Sequence, residues 1–121
     1  MIKSVFVLVI LALACNTYAE DFAPSSRCYG MATALELPDK PMFAAFIGFE
    51  QEELKKKYGV KSDKYTSAVL DNAIDAGYGN GYMKGLSHAL GKDNILKVFV
   101  DSCYKGDNAF RDKILTENHL R

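Results

Sequence analysis

From about residue 26 to residue 116, apolar residues recur at spacings of three and four, and no stretch alternates in twos, so the pattern predicts helices throughout. A first helix, CYGMATALEL, takes a cap from Ser25 or Ser26 and carries Cys28, Met31 and Leu35 on one side; Leu37–Pro38–Asp39–Lys40–Pro41 ends it. Pro41 suits the first turn of a second helix running to Gly59, with Met42, Phe43, Phe46, Ile47 and Leu54 inward. Glu50, Glu52 and Glu53 precede Lys55, Lys56 and Lys57 in the favoured order for side-chain pairs, which reads as a solvated face. Ser62 or Thr66 caps a long third helix that Gly91 closes. Asp93 caps a fourth, NILKVFVDSCYKG, with Ile95, Leu96, Phe99, Val100 and Cys103 inward. Asp107 caps the last, NAFRDKIL, with Phe110 and Ile114 inward. The expected fold is all-α, a small bundle of four to five helices.

The third helix, over residues 65–90, has two adjoining stripes of four-residue pitch. One is small (Ala73, Gly77, Gly81, Gly85, Ala89) and one is large (Leu70, Ile74, Tyr78, Tyr82, Leu86, Leu90). Rows of that pitch form the grooves and ridges by which helices pack. Glycine in a helix interior costs about 0.5–1 kcal/mol relative to alanine. The small stripe therefore predicts a compensating groove, filled by another helix or by a ligand. The alternative is a break near Gly79, because Asn80–Gly81 is a turn dipeptide.

The first 19 residues have another character. Lys3 is followed by an apolar run from Val5 to Ala14 and by Thr17–Tyr18–Ala19, a small-x-small site. The run is too short to span a bilayer and reads as a secretory signal peptide, residues 1–19, ahead of a single domain, residues 20–121. An alternative places a lipid on Cys15, after Ala12–Leu13–Ala14. Either reading exports the chain, with the periplasm as the expected compartment. Residues 1–19 contain one base and no acid, so the remainder carries 14 bases against 15 acids. That balance gives no field for nucleic acid. Two cysteines remain, Cys28 and Cys103, and in an exported chain an even pair reads as a disulfide, with two buried thiols as the alternative.

Little in the chain points to catalysis. His88 and His119 are not at metal-ligand spacing with a cysteine or carboxylate, there is no nucleophile elbow, and residues 79–85 match neither glycine-rich phosphate pattern. Asp71 and Asp75 stand four apart on the third helix, a spacing that reads first as a polar face. The sequence predicts no enzyme, no metal and no cofactor. Amphipathic aromatics are its richest resource and suit contact with proteins, although most of them also suit the edge of a core.

Cys28, the segment Tyr78–Gly79–Asn80–Gly81–Tyr82–Met83–Lys84–Gly85, and Val100–Asp101–Ser102–Cys103 followed by Gly106–Asp107–Asn108–Ala109–Phe110 together resemble the HdeA/HdeB-like small periplasmic helical proteins. The proline common after the second cysteine is missing, and residues 51–64 lengthen the span between the cysteines. The Gly-Tyr-x-x-Gly element also resembles the Rap/Tai immunity proteins, which usually carry further cysteines. The first resemblance implies an acid-stress chaperone that holds unfolding proteins, with Phe43, Phe46, Tyr78, Tyr82 and Phe99 as candidate protein-binding residues. The second implies an immunity or inhibitor protein that blocks a secreted effector enzyme. The expected partners are therefore client proteins or a cognate effector, with a second copy of the chain a further candidate.

Overall fold

The computed structural model describes residues 23–120. The expected leader and Cys15 lie outside the described residues. The described chain forms five helices and no strand: α1 (Ser25–Ala34), α2 (Lys40–Tyr58), α3 (Asp63–Ser87), α4 (Lys92–Tyr104) and α5 (Asn108–Glu117). The expected all-α bundle is present, and Cys28 is bonded to Cys103 with their Cα atoms 6.0 Å apart.

The bundle is built around α1, its joint-shortest helix. Ser25, Ser26, Cys28, Gly30, Met31 and Ala32 are all buried, and at about 100° per residue they occupy nearly the whole circumference. Small side chains on every side let α2, α3 and α4 all pack against it. The pattern predicts Ser25 or Ser26 as the cap of this helix. Both serines instead lie inside α1, behind Pro24, and neither caps it.

Most helix ends follow the expected chemistry. The Ser62 hydroxyl accepts from the Lys64 amide at 3.1 Å, and the Asp107 carboxylate accepts from the Phe110 amide at 2.9 Å. Gly59 and Gly106 take positive φ at the ends of α2 and α4, where side chains other than glycine are strained. Gly91, not Asp93, is the cap residue of α4. α3 runs unbroken through Gly79–Asn80–Gly81, so the alternative of a break is not realised.

The core holds Met31, Met42, Phe43, Phe46, Met83, Phe99 and Tyr104, sealed by the disulfide. Beyond it, α2 and α3 continue as an arm. Residues 47–78 contain no fully buried residue, and Gln51, Leu54, Tyr65, Ala68, Val69 and Asn72 are half-buried along its interior line. At the tip, the Lys64 ammonium donates to the Tyr58 hydroxyl at 3.4 Å. That bond, with help from Lys57, holds the Tyr58 hydroxyl below the usual tyrosine range. The Glu52–Lys55 and Glu53–Lys56 pairs lie on the solvated side, as expected.

Candidate protein-binding face

α3 meets the hub through one face only. Gly79 and Met83 are buried, and Ala76 is half-buried beside them. The crossing with α1 is so close that a methyl group on Gly79 would collide with the carbonyl oxygen of Arg27 and approach the amide of Met31 to 3.1 Å. A methyl on Gly30 would collide with the carbonyl oxygen of Ala76 and stand 2.9 Å from the amide of Asn80.

Consequently the predicted groove packs against none of the other described residues. Gly77, Gly81 and Gly85 have nothing within 4 Å of an added Cβ, and Ala73 is exposed. The physical reason is angular. Gly81 lies two residues, or about 200°, from Gly79. A helix that presents Gly79 to its neighbour must turn Gly81 to the outside. Within the fold, the glycine that permits close packing is Gly79, not the stripe.

The first four residues of the neighbouring large stripe are carried outward with it, whereas Leu86 and Leu90 at its end pack against the core. Leu70 is 57% exposed, Ile74 67%, Tyr78 58% and Tyr82 46%. Tyr78 and Tyr82 stack with their rings 5° from parallel and centroids 6.1 Å apart. The Arg27 guanidinium lies 4.9 Å from the Tyr78 centroid and donates to Asp75 at 3.4 Å, which braces the ridge from α1. Asp75 is thus engaged by a cation, while Asp71 is exposed. Of the five aromatic candidates for protein binding, Tyr78 and Tyr82 are on this face. Phe43, Phe46 and Phe99 are only 3%, 2% and 0% exposed. They belong to the core, because each lies on the inward line of an amphipathic helix.

A second constellation was not anticipated from sequence. Asp39 is fully buried, and Arg111 grips it with two bonds, Nε to Oδ2 at 2.8 Å and Nη2 to Oδ1 at 2.7 Å. The Tyr104 hydroxyl donates to Oδ2 at 2.6 Å. The hydrogen bond to Asp39 holds Arg111 above its ordinary value, and burial foremost pushes Tyr104 up. Around these groups stand Phe43, Phe99 and Phe110, whose rings pack edge-on or tilted against Tyr104 or each other. The Arg111 guanidinium itself is 5.7 Å from the Phe99 centroid. Arg111 precedes the inward pair Ile114 and Leu115 by three and four residues, which is the signal that could have placed it. Asp39, following Pro38, reads as an ordinary turn residue.

Among the described residues no group of three or more metal-capable side chains is assembled, and His88 and His119 are exposed. An open cleft of about 350 Å³ between α4 and the start of α5 is lined by Asp93, Lys97 and Asp101 among others, with no histidine, cysteine or hydroxyl nucleophile in its lining. No described helix is long and apolar enough to cross a membrane. Comparison of the chain with family models, with curated proteins and with solved structures finds no match.

Proposed function

We propose that the chain is an exported, non-catalytic holdase that binds unfolding proteins under acid stress. The observation that carries this reading is the buried Asp39–Arg111 pair set among the aromatic side chains of the core. Without its counter-charge the Arg111 guanidinium beside Phe99 would be a buried unpaired charge, which costs about 3–5 kcal/mol. A domain of this size has roughly 5–15 kcal/mol of stability in total. At about pH 2–3 most of the acids lose charge while the bases and both histidines stay positive, and the self-repulsion acts in the same direction. Asp39 lies at the start of α2 and Arg111 on α5, so separating them uncovers Phe43, Phe46 and Phe99. The Cys28–Cys103 bond ties α1 to α4 and limits the expansion.

The test is light scattering from an acid-stressed exported protein at about pH 2–3, with the chain at stoichiometric amounts. Suppressed aggregation is expected, and unchanged aggregation rejects the role. A second reading, an inhibitor of a secreted enzyme, is favoured by the ridge that stands exposed in the folded state. It requires tight capture of one foreign protein at neutral pH by a monomeric chain.

A further inference from the structure

The tip of the α2–α3 arm concentrates charge that the rest of the chain lacks. Lys55, Lys56, Lys57, Lys61 and Lys64 fall within residues 55–64, with Asp63 as the one acid among them. Of the 14 bases and 15 acids in residues 20–121, that leaves 9 bases against 14 acids everywhere else. The charges nearly cancel in sum, but one end is basic and the body is acidic. All five lysines are exposed. Lys55 and Lys56 are offset by Glu52 and Glu53, at 3.8 and 3.9 Å. Lys57 and Lys64, from opposite sides of the turn, instead bring their ammoniums to 5.3 and 4.4 Å from the centroid of one ring, that of Tyr58. The lowered Tyr58 hydroxyl registers the positive potential gathered there. At the apex Gly59 takes a positive φ and the chain turns back, leaving Val60 58% exposed and Tyr58 38%.

We propose that this tip docks the exported chain on an anionic phospholipid bilayer, with the lysines at the headgroup phosphates and Val60 and Tyr58 in the interface. Charge complementarity names the occupant. The end of a projecting arm meets a flat, fluid surface; it does not enclose a peptide. The arm also sets a distance. From residue 47 to residue 58, α2 covers about 17 Å. That is roughly twice the Debye length of ~8 Å at physiological salt. End-on contact therefore keeps the acidic body out of the repulsion of the surface, whereas a long polyanion lying along the chain would meet that body. Each lysine engaged at an anionic surface multiplies partitioning about fivefold. Lys57, Lys61 and Lys64 together give roughly a hundredfold, so the docking is reversible and weakened by salt. This inference goes beyond the acid-holdase reading, and neither requires the other.

The test is co-sedimentation of the exported chain with vesicles of phosphatidylcholine, alone or with about one-third phosphatidylglycerol, at neutral pH in about 0.05 M and about 0.5 M salt. Partitioning onto the anionic vesicles roughly a hundredfold above the neutral ones is expected at low salt, and its loss at high salt. Lys57→Gln, Lys61→Gln and Lys64→Gln together should abolish it. Lys84→Gln, Lys92→Gln and Lys97→Gln, an equal change of charge away from the tip, should leave most of it. The chain has no tryptophan, so Val60→Trp supplies a lone indole whose emission should move to the blue on anionic vesicles. The emission of His88→Trp, at the far end of α3, should not move. All these positions are exposed, and circular dichroism checks that each variant is folded. No partitioning onto anionic vesicles at low salt overturns the proposal, and capture of the chain by immobilised poly-glutamate in its place assigns the tip to an acidic protein. Equal losses from the two lysine triples, or a blue shift from residue 88 and none from residue 60, overturn it as well.

Discussion

Gly79→Ala and Gly81→Ala are the same chemical change, two residues apart on one helix, and they should move stability in opposite directions. At Gly81 an added methyl meets nothing within 4 Å. Only the helix-propensity gain operates there, and it stabilises by about 0.5–1 kcal/mol. At Gly79 the same gain is overwhelmed. The methyl meets the Arg27 carbonyl, a backbone atom of α1, which cannot swing aside as the end of a side chain could. α1 and α3 must separate, and α1 is also held by α2, by α4 and by the disulfide. Overpacking of this kind costs about 1–3 kcal/mol, and the upper half of that range fits a clash with backbone at the hub. The net expectation is a loss of about 1–2 kcal/mol, or a drop of about 5–15 °C in melting temperature for a domain of this size.

Urea denaturation followed by circular dichroism measures both changes. Gly48→Ala on α2 is the control, since Gly48 is equally open and lies on another helix; it should stabilise like Gly81→Ala. If Gly79→Ala is as stabilising as Gly81→Ala, then α3 does not meet α1 through Gly79, and the assignment of inner and outer faces is wrong.

Other expectations follow from the buried polar cluster and the disulfide. Asp39→Asn should cost about 3–5 kcal/mol by leaving Arg111 without its counter-charge, whereas Asp39→Leu combined with Arg111→Met should cost much less; chemical denaturation separates the two. Tyr104 is held above its ordinary value of about 10 mainly by burial and next by the Asp39 charge. The unfolded chain therefore loses this proton near pH 10 while the folded chain keeps it. Stability is full below that pH and falls as pH rises above it, and Tyr104→Phe should flatten the fall in an alkaline melting series. Reduction of Cys28–Cys103, which spans 75 residues, should remove roughly 4 kcal/mol, read from denaturation with and without reductant.

The helices themselves were legible because their signals are local. Ser62, Asp107, Pro41 and Gly59 punctuate the chain where the structure starts or ends a helix. The disulfide was legible from the even number of cysteines that follow the expected leader. The hub was not, because α1 is buried through mostly small side chains around its circumference, and a helix half made of Ser, Gly and Ala shows little periodic contrast. The Asp39–Arg111 pair joins residues 72 positions apart; the spacing of Arg111 to Ile114 and Leu115 turns it inward, but nothing marks Asp39 as more than a turn acid.

The outer face of α3 shows why the remaining error was of a particular kind. A four-residue stripe of small residues states that a helix can be approached closely along that row, but it does not say by what. Gly79, on the other side, makes the same statement once, and α1 takes it up because Met83, four residues on, supplies a buried anchor beside it. The longer stripe has large neighbours that the fold leaves in water. Gly77, Gly81 and Gly85 carry the helix cost of glycine and meet nothing within 4 Å among the described residues. Replacing all three by alanine should therefore stabilise the chain, by about 0.5–1 kcal/mol at each position in urea denaturation. A triple variant no more stable than the parent would show that the outer face of α3 is packed after all.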